Sequence, residues 1–205
     1  MINRVMWVVI ASLLLSGCRI VTRQQLAELK NPPNANLAKA AQLFDRNIAP
    51  QVKNSATPLG TLLTQIGQAK DFDTACRQYG YRSQDENPCV FTVSFSGAIS
   101  QVNTASRNGQ IVVKSDDNQV GEVKVQIGPT FRGTDLRDSY RGLGYGDFND
   151  QNLFGDFGKA INQQAINTLA KQTFTVGGNV TVYGVFSAFD TPQPPLLITP
   201  VNITQ

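Results

Sequence analysis

From Cys89 onward, apolar residues fall at every second position: Phe91, Val93 and Phe95 alternate with Thr92, Ser94 and Ser96, and Ile99 and Val102 follow Gly97. Alternation with a period of two sends successive side chains to opposite faces of an extended chain, so this stretch predicts a strand with one buried face. Turn signals at Arg107-Asn108-Gly109 and Asp116-Asp117-Asn118 bound two further extended runs, over residues 110–114 and 121–127. Residues 154–174 return to helical spacing through Phe157, Ile161, Ala165, Ile166 and Leu169, and residues 180–189 and 196–203 are again strand-like. Three strands, a helix and two strands is the element order of an OB-like barrel, five strands closed on themselves with a helix between the third and fourth. The expected class is α+β, with this barrel spanning residues 89–205.

A small helical section is expected ahead of it, over residues 37–88. Leu37, Ala40, Ala41, Phe44 and Ile48 recur at helical spacing, and Pro50 is expected to end or kink that helix at its final turn. Thr57-Pro58 reads as an N-cap followed by proline at the first helical position, leading into Leu59, Leu62, Leu63 and Ile66. Residues 73–79 form a third short helix, stopped by Gly80.

The N-terminus carries an address. Arg4 precedes an apolar run from Val5 to Leu15, then the small residues Ser16 and Gly17, then Cys18. This is the order of a secretion leader, and the run is too short to span a bilayer, which takes roughly 20 apolar residues. Leu15-Ser16-Gly17-Cys18 resembles the lipobox of bacterial lipoproteins, in which the cysteine receives a diacylglyceryl group and becomes the acylated N-terminus. That resemblance implies a leader at residues 1–17, lipidation at Cys18 and a periplasm-facing protein anchored to a membrane by its acyl chains. Residues 18–36 are polar, contain Pro32-Pro33 and read as a tether. Arg19 stands where lipoproteins kept in the enterobacterial inner membrane typically carry Asp, which leaves inner and outer membrane both open.

Composition removes several function classes. The formal net charge is +3 with no basic block, so nucleic-acid binding by bulk electrostatics is disfavoured. There is no His, which excludes a serine triad, and two thiols alone cannot complete a zinc shell, so neither metal nor cofactor is expected. Cys76 and Cys89, exported to an oxidising compartment, are expected to pair as a disulfide. A loop of about 15 residues closed in this way contributes roughly 3 kcal/mol in the chain-entropy picture. Gly142-x-Gly144-x-Gly146 does not lie between a strand and a helix of a βαβ unit, so it is no dinucleotide fingerprint.

Glycine and charge are densest over residues 127–151, which hold Arg132, Asp135, Arg137, Asp138, Arg141, Asp147 and Asp150. Arginine forks suit carboxylate, phosphate or hydroxyl groups, and the glycines permit close backbone approach. Two readings compete. In one, Arg132, Asp135, Arg137 and Asp138, with Asp147, form a corner that binds a ligand or partner. In the other, Thr134 or Asp135 caps a one-turn helix while the charges pair among themselves into a rigid corner. Hydrolysis of envelope glycans would require two carboxylates facing across a cleft, one with a raised pKa.

The lipobox followed by Arg19-Ile20-Val21, the strand-rich middle and the string IGPTFRGTDLRD together resemble a family of bacterial predicted periplasmic lipoproteins. The likeness covers most of the chain after Cys18 and is most diagnostic over residues 126–137. Asp138, Asp147, Phe148 and Gln151 continue its pattern, whereas Asn149-Asp150 and Asn152-Leu153 depart from it. Members are typically encoded beside ribose-type sugar importers of the ATP-driven class. The resemblance thus implies a helical N-terminal part with an OB-like barrel, a non-enzymatic accessory role, importer subunits as partners and a small sugar or polyol as ligand.

Overall fold

The computed structural model describes Thr22 and residues 35–205. The leader, Cys18 and nearly all of the expected tether therefore lie outside the described residues. In chain order the elements are α1 (Ala35–Leu43), a π-turn (Phe44–Ile48), α2 (Ala49–Ser55), β1 (Thr57–Pro58), α3 (Leu59–Gln68) and α4 (Phe72–Tyr79). Then follow β2 (Cys89–Asn103), β3 (Asn108–Ser115), β4 (Glu122–Pro129), α5 (Asp135–Asp138), a 3-10 turn (Tyr145–Asp147), α6 (Gln151–Leu169), β5 (Asn179–Ala188) and β6 (Leu197–Thr204). No helix among the described residues is long and apolar enough to cross a membrane.

Strand β2 organises the barrel. From Cys89 to Ala98 it pairs antiparallel with β5, and from Gly97 to Asn103 it pairs antiparallel with β3. At the changeover a Cβ on Gly97 would sit 2.1 Å from the Lys114 carbonyl oxygen, so only glycine lets the strands approach this closely. β4 pairs antiparallel with β3, β6 runs parallel to β4 through Lys124 and Val125, and β5 and β6 pair antiparallel. The circuit β2-β3-β4-β6-β5 closes on β2, giving the OB-like barrel that the element order implied. The alternating residues Phe91, Val93 and Ile99 are buried, as are Ile111 and Val113 of β3 and Val123 and Val125 of β4.

Helix α6 lies between the third and fourth barrel strands and packs on β4 and β6. Phe157, Ile161, Ala165, Ile166 and Leu169 form its buried stripe. It begins three residues earlier than its apolar spacing suggests, because the Asp150 side chain accepts the Asn152 and Leu153 N–H groups and caps it. The helical section shares one continuous core with the barrel: Phe44, Ile48, Val52, Leu59 and Leu62 join the same apolar cluster as Phe91 and Phe157.

Two local expectations are corrected. Pro50 does not end its helix, which continues to Ser55. It falls in the first turn of α2, immediately after the π-turn in which the Ala49 N–H reaches the Phe44 carbonyl. The wider turn shifts the hydrogen-bond ladder where a proline ring would otherwise meet a carbonyl one turn back. Thr57-Pro58 is a short edge strand, parallel to Val93 and Ser94 of β2, and α3 starts after it with no side-chain cap. Proline tolerates that position because an edge residue has no second neighbour awaiting its missing N–H.

Cys76 of α4 and Cys89 at the start of β2 form the expected disulfide, both sulfurs being buried. The bond ties the last helix of the N-terminal section to the strand on which the barrel closes. It also closes a ring whose outer part is the polar segment 81–88.

Candidate functional site

The chain leaves β4 through Gly133, whose φ of +75° lies in the left-handed region and requires glycine. Its carbonyl accepts a hydrogen bond from Asn162 Nδ2 of α6 at 2.9 Å. Thr134 precedes α5 but caps nothing. Its Oγ1 donates to Asp138 Oδ2 at 2.7 Å and accepts from Arg137 Nη2 at 3.0 Å. Arg137 Nε donates to Asp138 Oδ1 at 2.8 Å, and Nη1 donates to the Phe154 carbonyl at 3.0 Å. The guanidinium also stacks 3.6 Å above the Phe154 ring centroid. Every nitrogen of Arg137 is thus engaged, in a side chain only 12% exposed. The pair with Asp138 has the rigidity of the corner reading, and it forms part of a wall.

That wall belongs to a cleft of about 840 Å³ between segments 82–88 and 137–155, lined among others by Arg82, Gln84, Asn87, Arg137, Tyr145 and Phe154. Arg82 is oriented by its ion pair with Asp73. Tyr145, 48% exposed, meets Phe154 edge-on with centroids 5.7 Å apart. Among the described residues the single carboxylate in the lining is Asp138, already held by Arg137, so the facing carboxylate pair of glycoside hydrolysis is not assembled there. Arg141 stacks over the Tyr81 ring at 5.2 Å and lines a neighbouring cavity of about 460 Å³. No group of acidic or sulfur side chains suited to a metal ion occurs among the described residues.

The five charged candidates do not converge on one corner. Asp147 is a turn residue: its Oδ2 accepts the Gly144 N–H at 2.8 Å. Asp135 is half-buried, without a cation, and accepts a hydrogen bond from Ser187 Oγ at 2.9 Å. Burial raises its pKa from the ordinary 3.8 to about 6; the Ser187 hydrogen bond works against the rise, and the nearby Asp138 charge adds to it. Arg132 projects into a different concavity, away from Arg137 and Asp138, and its side chain is exposed. Its backbone, by contrast, is clamped. The Arg132 N–H donates to Gln126 Oε1 at 2.6 Å, Gln126 Nε2 donates to the Arg132 carbonyl at 3.2 Å, and Nε2 also donates to Thr199 Oγ1 at 2.7 Å.

Sequence reasoning missed Arg82, Gln84 and Asn87. Their signal was the run of polar residues inside the Cys76–Cys89 ring, which the disulfide folds against the segment after α5. Tyr145 stands on the rim within residues 127–151, where the sequence candidates are charged residues alone.

A closed barrel with its helix between the third and fourth strands is an OB-fold. In keeping with this, the crystal structure of an OB-fold protein from Thermotoga maritima resembles the chain with a TM-score of 0.64, at 14% identity over 82% of this chain and 97% of that one. The chain itself belongs to the family described as predicted periplasmic lipoprotein (DUF2291), whose model matches residues 8–204. No curated protein matches it.

Two outcomes are expected from these contacts. Arg137→Ala should lower stability in urea unfolding by about 2–3 kcal/mol, since it strands Asp138 and removes charge-assisted hydrogen bonds. Arg132→Ala, at an exposed and unpaired side chain, should stay within about 0.5 kcal/mol of wild type. Equal losses would contradict this division of roles. The second outcome concerns pH. Because the folded pKa of Asp135 is raised, the fold binds its proton more tightly than the unfolded chain does, so stability falls as pH rises from about 4 to about 6. Asp135→Asn, which keeps an acceptor for Ser187, should therefore exceed wild type at pH 7 by on the order of 2 kcal/mol and converge with it below pH 4.

Proposed function

We propose that this periplasmic lipoprotein is a non-enzymatic accessory of a sugar importer, acylated on Cys18, which binds a small sugar or polyol in the cleft beside Arg137. The observation that carries the ligand reading is the composition of the cleft. An exposed aromatic side chain, Tyr145, shares this lining with the amide groups of Gln84 and Asn87 and the guanidinium groups of Arg82 and Arg137. Sugars present both an apolar ring face and a set of hydroxyls, and a concavity of this volume falls within the range that holds small molecules. Asp138 is the one carboxylate in this lining among the described residues and is held by Arg137, which supports a binding role over hydrolysis by two facing carboxylates. The importer partner rests on the resemblance to a family typically encoded beside ribose-type importers.

A second reading, a protein-docking lipoprotein with no small ligand, is favoured by Phe189 and Val176, which stand 73% and 66% exposed. Thermal unfolding of the lipidated protein in nonionic detergent, against neutral pentoses, hexoses and polyols, separates the two. A ligand at about 100 times its dissociation constant adds roughly 2.7 kcal/mol, a rise of about 5–10 °C for a chain of this size. Tyr145→Ala should abolish that rise while leaving the unliganded midpoint in place. No rise with any compound would overturn the sugar reading in favour of docking.

A further inference from the structure

Arg132 opens on a separate concavity of about 330 Å³, lined by Asn103, Ser106, Asn108, Gln110, Lys124 and Arg132, with Pro195 and Leu197 closing the side nearest β6. We propose that this pocket binds a phosphate group, carried either by a small ester or by a phospholipid headgroup. The site is independent of the cleft described above and shares no lining residue with it.

Four observations converge. The lining holds two cations and no carboxylate. Among the described residues neither Lys124 nor Arg132 has an ion-pair partner, whereas Arg82 and Arg137 in the cleft are both paired. Two uncompensated cations facing one concavity repel each other and focus a positive potential into it, which an anion relieves. Next, the side-chain amides of Asn103, Asn108 and Gln110 likewise have no hydrogen-bond partner, so the pocket presents donors that the protein itself does not use.

The third observation is the placement of Arg132. Gln126, 3% exposed, uses both ends of its amide to grip the Arg132 backbone on its N–H and its carbonyl, and Thr199 braces the same amide. A buried amide committed to fixing the backbone of an exposed arginine sets the point from which its side chain projects and removes the backbone share of the entropy lost on binding. Finally, the donor set suits phosphate. An ammonium, a planar guanidinium fork and three amides surround the space. A tetrahedral oxyanion with three or four acceptor oxygens can engage several of them at once, whereas a carboxylate with two oxygens leaves most of them idle. The pocket lies on the second and third barrel strands, β3 and β4, beside the loops after β2 and before β6. Barrels of this fold bind oligonucleotides and oligosaccharides on this face.

The test is isothermal titration of the full-length lipidated protein in nonionic detergent and phosphate-free buffer, with inorganic phosphate and with methyl phosphate as probes. Saturable binding is expected at one site, weakened at least tenfold by Lys124→Gln and by Arg132→Gln, each of which should keep the wild-type thermal midpoint. Tyr145→Ala should bind phosphate as wild type does, so a failure of the sugar reading leaves this result untouched. Absence of saturable binding, or equal binding by wild type and both variants, would overturn the proposal. Phosphatidylglycerol added to the micelles identifies the source: competition with methyl phosphate assigns the group to a lipid headgroup, and unchanged affinity assigns it to a soluble ester. Either result sustains the site.

Discussion

Closure of the barrel rests on one strand serving two neighbours. β2 pairs with β5 along its first part and with β3 along its second, and the crossing falls at Gly97, where no side chain can be accommodated. Both ends of that strand then acquire consequences. Its first residue, Cys89, is bonded to Cys76, which brings the polar ring 81–88 to one wall of the cleft. Its last residue, Asn103, lies in the lining of the cationic pocket. Backbone pairing sets where each concavity forms, and the side chains at the strand ends set what each contains.

The charged segment after β4 divides according to how completely its charges are satisfied. Arg137 is bonded through every nitrogen and stacked on Phe154, so it is part of the architecture and offers a ligand mainly a shaped, polar wall. Arg132, five residues earlier in the same string, has a fixed backbone and a free side chain. The cost of Asp135, a half-buried carboxylate without a cation, is met partly by Ser187 and partly by a raised pKa. Neighbours in one string thus carry three different physical roles, which no count of charges separates.

Much of the barrel was legible because its signal is local. Alternation placed the first barrel strand, since a half-buried extended chain must repeat every second position; turn signals bounded the next two, and the order of all five around one helix implied the closed topology. The disulfide was legible from cysteine count and compartment. What sequence could not show were contacts made across distance or by unusual hydrogen bonding. The π-turn at Phe44–Ile48 has no composition of its own, so Pro50 read as the end of the helix or a kink in it. Asp150 looked like a departure from the family pattern yet caps α6. The cleft joins residues 82–88 to residues 137–155, and Gln126, an ordinary strand glutamine by pattern, is the clamp on Arg132.

That clamp leaves a signature at a single amide. The Arg132 amide lies in a loop next to an exposed side chain, yet it donates to a buried acceptor within the barrel wall. Native-state hydrogen exchange read at this one amide discriminates between a braced residue and a surface loop. Protection comparable with that of the β4 amides is expected, lost in Gln126→Ala while the β4 amides stay protected. Exchange at the rate of an unstructured chain in the wild-type protein would contradict it.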